Sequence, residues 1–254
     1  MIIIQQVETK QKMYYDYKTK NKSFLKVAKI LKDKNIRNFA FPLMIYDPRL
    51  IGVDPWSEEV ANSLVLQSRI AIEVERNIWY YLREVLRIPT PGGSVHYEIH
   101  LGNLALTFSL LCNFNTAIEL PRQHYKTYSA VAFYSWVTLF VAKNYSMIFT
   151  HKSYTDMVEN LRKLKILADP ESNSIPEYLI PSMDNPKDKD NERQFLISEN
   201  NNSITGISPS SSAEQADKAG RGMTVPIIWI DEIALILMRA IKTSLIAGIS
   251  LELN

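Results

Sequence analysis

The chain has 254 residues, 46% hydrophobic and 22% charged, with a formal net charge of +2. These values are those of an ordinary globular protein able to bury a sizeable core as one large domain, or a domain with an added subdomain. A single cysteine, Cys112, excludes an internal disulfide and fits a reducing compartment; it reads as a small buried side chain. The most apolar stretch, residues 225–238, is interrupted by Asp231 and Glu232 and is too short to cross a bilayer. The opening Met1-Ile2-Ile3-Ile4 lacks the basic flank of a secretory signal, so a cytoplasmic protein is expected.

Charge is spread unevenly. Lys10, Lys12, Lys18, Lys20, Lys22, Lys26, Lys29, Lys32, Lys34 and Arg37 crowd the start of the chain against Asp16 and Asp33, with Tyr14, Tyr15 and Tyr17 among them. Such an arm suits phosphates; a solvated basic helix and tail is the alternative. Phe24, Leu25, Val27, Ala28, Ile30 and Leu31 give residues 23–34 the apolar face of a short amphipathic helix. After a loop holding Pro42, Pro48 and Pro55, Asp54-Pro55 reads as an N-cap followed by proline at the first helical position. A helical pattern, in one or two pieces, then runs to about residue 87 through Trp79-Tyr80-Tyr81. Pro89-Thr90-Pro91-Gly92-Gly93 ends it.

Beyond that break the elements alternate. Helices are expected over 101–113, 128–142 and 153–167, the last capped by Ser153 or Thr155, and strands over 116–120 and 146–150. The polar stretch 169–191 reads as exposed. Residues 194–197 and 203–207 read as a hairpin across Glu199-Asn200-Asn201-Asn202. After a second polar loop over 208–222, Pro226-Ile227-Ile228-Trp229-Ile230 reads as a buried strand running into Asp231-Glu232. This alternation predicts an α/β fold with a mainly parallel sheet flanked by helices. Residues 1–95 form the N-terminal basic and helical region, and 96–254 the core.

Two segments carry chemistry. Pro121-Arg122-Gln123-His124-Tyr125-Lys126-Thr127 follows a predicted strand and opens a predicted helix, the context of a phosphate-binding loop. Backbone N–H groups at a helix N-terminus favour anions, a lysine there reaches terminal phosphates, and the next hydroxyl can ligate magnesium. The standard loop has glycine at both ends of its four-residue gap; here Leu120 and Tyr125 stand there. The second segment is the apolar strand ending in Asp231-Glu232. Asp231 is placed to hold magnesium and Glu232 to orient and deprotonate an attacking water. A strand that merely ends in acidic residues is the plainer reading of that pair. Together, the segments predict a P-loop NTPase-like core.

The Arg122-Gln123 pair before Lys126-Thr127 resembles the deviant phosphate loop of large terminase subunits, the packaging motors of tailed bacteriophages. Ile148-Phe149-Thr150-His151-Lys152 resembles the next segment of that family. Ala219-Gly220-Arg221-Gly222 running into residues 227–232 resembles its approach to the acidic strand. The resemblance covers roughly residues 102–237. It implies a motor that hydrolyses ATP with Mg2+ to translocate double-stranded DNA into a procapsid.

On matching residues, the resemblance places Pro121, Arg122, Gln123, His124, Tyr125, Lys126 and Thr127 around the triphosphate. Arg122 would sense the γ-phosphate, Thr127 and Asp231 would hold the metal, and Glu232 would be the catalytic base. A glutamine that reads adenine in the family corresponds by spacing to Asn103, a shorter amide. The implied partners are double-stranded DNA, the portal protein and the small terminase subunit, with no membrane. The implied assembly is a ring homo-oligomer when packaging, with a monomer in isolation as the alternative. The implied location is the host cytoplasm, transiently at the procapsid portal. The family continues into a coupling segment and a nuclease, so this chain is expected to be a motor fragment without DNA-cutting activity.

Tyr125, where the family has glycine, keeps a second class open: a degenerate module that serves as a structural adaptor. A helicase-like translocase shares the acidic strand but not the Arg-Gln pair. His96 and His100 stand four apart without the intervening glutamate offset of a zinc motif. Trp56, Trp79, Trp136 and Trp229 read as core or interface side chains.

Overall fold

A computed structural model describes residues 12–112, 126–151, 153–207 and 227–230. The chain divides into two compact units, residues 1–141 with 166–181 and residues 142–165 with 182–254. The division expected at residue 95 falls inside the first unit.

The first unit is mostly helical. Strand β1 (Tyr14–Tyr15) pairs antiparallel with β2 (Met44–Ile45). Helix α1 (Lys22–Asp33) buries Phe24, Val27, Ala28 and Leu31 on one side and leaves Lys22, Lys26, Lys29 and Lys32 exposed on the other. Each fully buried large apolar side chain contributes roughly 1.5–3 kcal/mol. Asn21 caps α1, its Oδ1 accepting from Ser23 N at 3.3 Å. Its Nδ2 donates to the carbonyls of Arg83 at 3.1 Å and Tyr97 at 2.9 Å, so one amide starts the helix and fastens it to two later segments.

The helical stretch expected after Asp54 arrives in pieces: α2 (Glu58–Ala61), α3 (Leu64–Arg76) and α4 (Ile78–Tyr80), which widens into a π-turn over Tyr81–Val85. Asp54 is not the cap. Its Oδ1 accepts from Trp56 N at 3.0 Å in a local turn, and Ser57 caps α2 instead. Ser63 and Asn77 cap the next two pieces. Three competing caps within a short span explain the breaks.

The proline–glycine break is the turn of a hairpin, β3 (Arg87–Thr90) with β4 (Gly93–His96), where Gly93 adopts φ +114°. Helices α5 (Leu101–Leu111) and α6 (Lys126–Trp136) follow, the latter widening into a π-turn over Val137–Val141. The stretch 169–191 is not uniformly exposed. Ser174, Ile175 and Leu179 are buried, and Arg87 N donates to the Ser174 carbonyl at 2.8 Å. Cys112 lies exposed at the end of α5, contrary to the buried position expected.

The second unit holds a five-stranded sheet in the order β6 (Lys189–Asn191), β7 (Gln194–Ile197), β8 (Asn202–Ile207), β5 (Ser146–Thr150), β9 (Ile227–Ile230). The expected strand at 146–150 and the expected hairpin, β7 with β8, are both present. The sheet is mixed rather than mainly parallel: β5 runs parallel to β8 and β9, while β6 and β7 add antiparallel pairs. A short hairpin connection makes its strands antiparallel, and two consecutive hairpins set that side of the sheet.

Helix α7 (Tyr154–Leu167) follows β5 in the chain. Its Met157 is fully buried, and a Cβ on Gly206 of β8 would meet Met157 Sδ at 2.1 Å. Glycine there is a packing requirement of the helix–sheet contact.

The parallel pair β5–β8 starts from two left-handed corners, Asn144 at φ 57° and Asn201 at φ 53°. Asparagine tolerates that conformation better than other side chains with a Cβ. Asn201 Nδ2 donates to Asn144 Oδ1 at 3.0 Å, and Asn144 N donates to the Asn200 carbonyl at 2.9 Å. Asn202 adds two bonds, accepting from Tyr145 N at 3.0 Å and donating to the Ala142 carbonyl at 2.7 Å.

Candidate functional site

Lys126 is the first residue of α6, and Thr127 beside it is half-buried. The described part of the helix thus includes two residues before the expected start at residue 128. If the helix begins here, its dipole favours an anion beside these two residues. Pro121, Arg122, Gln123, His124 and Tyr125, with the strand expected at 116–120, lie outside the described residues.

Three side-chain bonds anchor α6 within the helical unit. Tyr97 Oη donates to Ser129 Oγ at 3.1 Å, Tyr81 Oη and Ser135 Oγ are 2.8 Å apart, and Trp136 Nε1 donates to the Val74 carbonyl at 2.6 Å. Burial raises the Tyr97 phenol to about 12, against the lowering effect of its bond to Ser129. The phenol is therefore a permanent donor at neutral pH. The sequence reading took Trp136 as a core or interface side chain and gave the others no part in fixing one helix. Ser129 and Ser135 within an otherwise apolar helix were the available signal.

Asn103 is fully buried near the start of α5 and serves as half of a capping box. Its Oδ1 accepts from His100 N at 2.7 Å, and its Nδ2 donates to the Glu98 carbonyl at 3.0 Å. In return, His100 Nδ1 accepts from Gly102 N at 3.1 Å and Asn103 N at 3.4 Å. An accepting Nδ1 carries no proton, so this cap needs the ring in its neutral Nε2–H tautomer. The i, i+3 spacing of His100 and Asn103 is that of a cap with its N3 partner.

In the second unit, β9 leads in sequence directly to Asp231 and Glu232, which lie outside the described residues. Its parallel register with β5 sets Ile230 opposite Thr150 and Trp229 opposite Phe149, whose rings are 4.5 Å apart. The carboxyl ends of parallel strands are where open α/β sheets gather their sites.

The end of β5 carries a polar cluster of its own. Ser153 Oγ donates to Asp156 Oδ2 at 2.5 Å and accepts from Asp156 N at 3.2 Å, starting α7. The buried His151 sets its Nδ1 3.6 Å from the same Asp156 oxygen. Ser153 is the cap that the sequence offers as one of two choices. His151 enters the sequence reading only within the segment 148–152 and Asp156 not at all, and the Ser-x-x-Asp spacing was the signal for Asp156.

No group of three or more His, Cys, Asp or Glu able to hold a metal occurs among the described residues. Thr127 and Asp231, the expected magnesium ligands, include one residue outside them. Among the described residues, no helix is long and apolar enough to cross a membrane. No protein-family model and no curated protein matches the chain.

Proposed function

We propose that the chain is the ATP-hydrolysing motor part of a bacteriophage DNA-packaging terminase, converting ATP turnover into movement of double-stranded DNA into a procapsid. The observation that carries this reading is the position of Lys126-Thr127. They stand at the start of the described part of a side-chain-anchored helix, after the Arg122-Gln123 segment in sequence. An apolar parallel strand running into Asp231-Glu232 adds to it.

In this reading Lys126 binds the β- and γ-phosphates, Thr127 and Asp231 hold Mg2+, Arg122 senses the γ-phosphate, and Glu232 takes the proton of the attacking water. Asn103 stands where the family reads adenine. With its amide already bonded to the backbone at both ends, discrimination between ATP and GTP is expected to be weak. The portal ring, the small terminase subunit and further copies of the chain in a ring are the partners that go with this function, at the portal within the host cytoplasm.

The test is steady-state ATP turnover with Mg2+. Lys126→Ala and Glu232→Gln should each lower kcat by about 10²–10³, the scale of losing one preorganised charge-stabilising or proton-accepting group. Turnover indifferent to both changes overturns the motor reading.

A second reading is a nucleotide-binding or empty adaptor, favoured by Tyr125 in the place of a glycine. It predicts that ATP binds or fails to bind without being hydrolysed, and that Tyr125→Gly switches turnover on.

A further inference from the structure

We propose that the cavity between α3 and the segment 46–49 is a phosphate-binding site, separate from the Lys126 loop and built from Arg49, Arg69 and Arg76. The cavity is an open hollow of about 300 Å³ in the helical unit, and every cation lining it is an arginine. That choice stands out in a chain whose exposed N-terminal cations are nearly all lysine. Arginine presents a planar fork of donors that matches phosphate oxygens, where lysine offers a single point charge.

The two carboxylates at the cavity are already saturated. Glu73 is buried, and its oxygens accept from Tyr46 N at 3.0 Å, Asp47 N at 2.9 Å and Asn77 Nδ2 at 2.7 Å. This acid holds the segment down on α3. Asp47 in turn is gripped by Arg49 through Nε and Nη2, both at 2.8 Å, and by Arg69 Nη1 at 3.0 Å. The bonds from Arg49 hold the Asp47 carboxyl below its ordinary range. One acid therefore orients two guanidiniums, each with further N–H groups left for an incoming anion.

Arg76 lies two turns along α3 from Arg69, on the same face. Its guanidinium makes no ion pair with a described carboxylate, and its charge acts on the Tyr46 phenol that lines the same cavity. Three guanidiniums against two satisfied carboxylates leave the cavity net positive. Tyr46 adds a phenol that burial and Glu73 keep protonated, hence a further donor. Ile72, 51% exposed, supplies an apolar wall on which a sugar or base can rest. The ligand chemistry is a phosphate carried by a nucleotide or by a nucleic-acid backbone.

The test uses the full chain carrying Lys126→Ala, so that the loop does not contribute and the result stands whether or not the chain is an ATPase. Inorganic phosphate is titrated by calorimetry and by phosphorus NMR line broadening. Binding is expected, weakened about tenfold when Arg76→Ala is added, as for loss of one charge-assisted bond. Arg76→Lys should recover only part. Arg76 is exposed, so the thermal midpoint should not move. AMP and a twelve-base-pair duplex are then offered as competitors. Displacement by AMP identifies a nucleotide as the source, and displacement by the duplex identifies the backbone. Absence of phosphate binding, equal binding with and without Arg76, or displacement by neither competitor overturns the proposal.

Discussion

Trp136 on α6 reaches α3 through a hydrogen bond from its indole nitrogen to the Val74 carbonyl, 2.6 Å long and buried. Val74 lies in the last turn of α3, where carbonyls have no partner within the helix. The indole therefore completes the end of one helix while fixing the direction of another, the one that begins with Lys126.

Trp136→Phe removes the donor together with part of the buried ring, so a cavity cost adds to that of the lost bond. The orphaned carbonyl should cost about 1–3 kcal/mol. Urea unfolding is the measurement, and a midpoint equal to that of the unaltered chain would show that water replaces the indole. If α6 presents a phosphate loop, the same change should raise the KM for ATP more than it lowers kcat.

Asn103→Ala should cost about 1–2 kcal/mol of stability through loss of the α5 cap. The ratio of ATP to GTP turnover should stay where it was. A changed ratio with stability intact would instead assign the Asn103 amide to the base.

Gly206→Ala should destabilise the sheet unit by about 1–3 kcal/mol, because the new methyl group meets the buried Met157 sulfur. Met157→Ala alone should also destabilise, by leaving a cavity. The double variant should lose less than the sum, a coupling readable in a double-mutant cycle. Strict additivity would mean that the helix and sheet do not meet at these residues.

Alkaline unfolding should depend on Tyr97. Its phenol is raised from the ordinary 10 to about 12 in the folded chain, so its contribution is complete below pH 10. Above pH 10 the unfolded chain gives up the proton while the folded one keeps it, so stability falls as pH rises toward 12. A titration at 295 nm alongside circular dichroism should show this phenol ionising together with unfolding. Tyr97→Phe should flatten the fall. The variant also loses the bond to Ser129 and so should start from lower stability at pH 7.

Elements whose signal is local were legible in the sequence. The apolar face of α1, the run Ser146–Thr150 and the hairpin of β7 with β8 each declare themselves within a few residues. Competition among neighbours was harder to read. Asp54 and Ser57 are both good caps, and the outcome turned on Asp54 closing a turn onto Trp56. Burial of Ile175 and Leu179 inside a polar stretch depends on contacts with remote segments, such as Tyr178 Oη donating to the Pro55 carbonyl at 3.1 Å. Strand direction depends on connections as well as on the strands, which is why a mainly parallel expectation met a mixed sheet. Of the candidate site, the helix starting at Lys126 and the strand before Asp231 were legible from pattern. The tie through Trp136 and the bonding of Asn103 were not, since neither the distant carbonyl nor the cap's geometry leaves a mark on composition.

Parallel strands lack the tight turn that aligns a hairpin, so something else must choose which residue of β8 faces which residue of β5. Here the amide-to-amide link between Asn144 and Asn201 holds both strands at their starting line. Sliding β8 by a single position would turn Ile204 outward and bring Ser203 and Thr205 into the interior. A chain altered at either corner is therefore exposed to mispairing while it folds. The cost would appear as lower soluble yield and slower refolding, more than as a lower melting temperature.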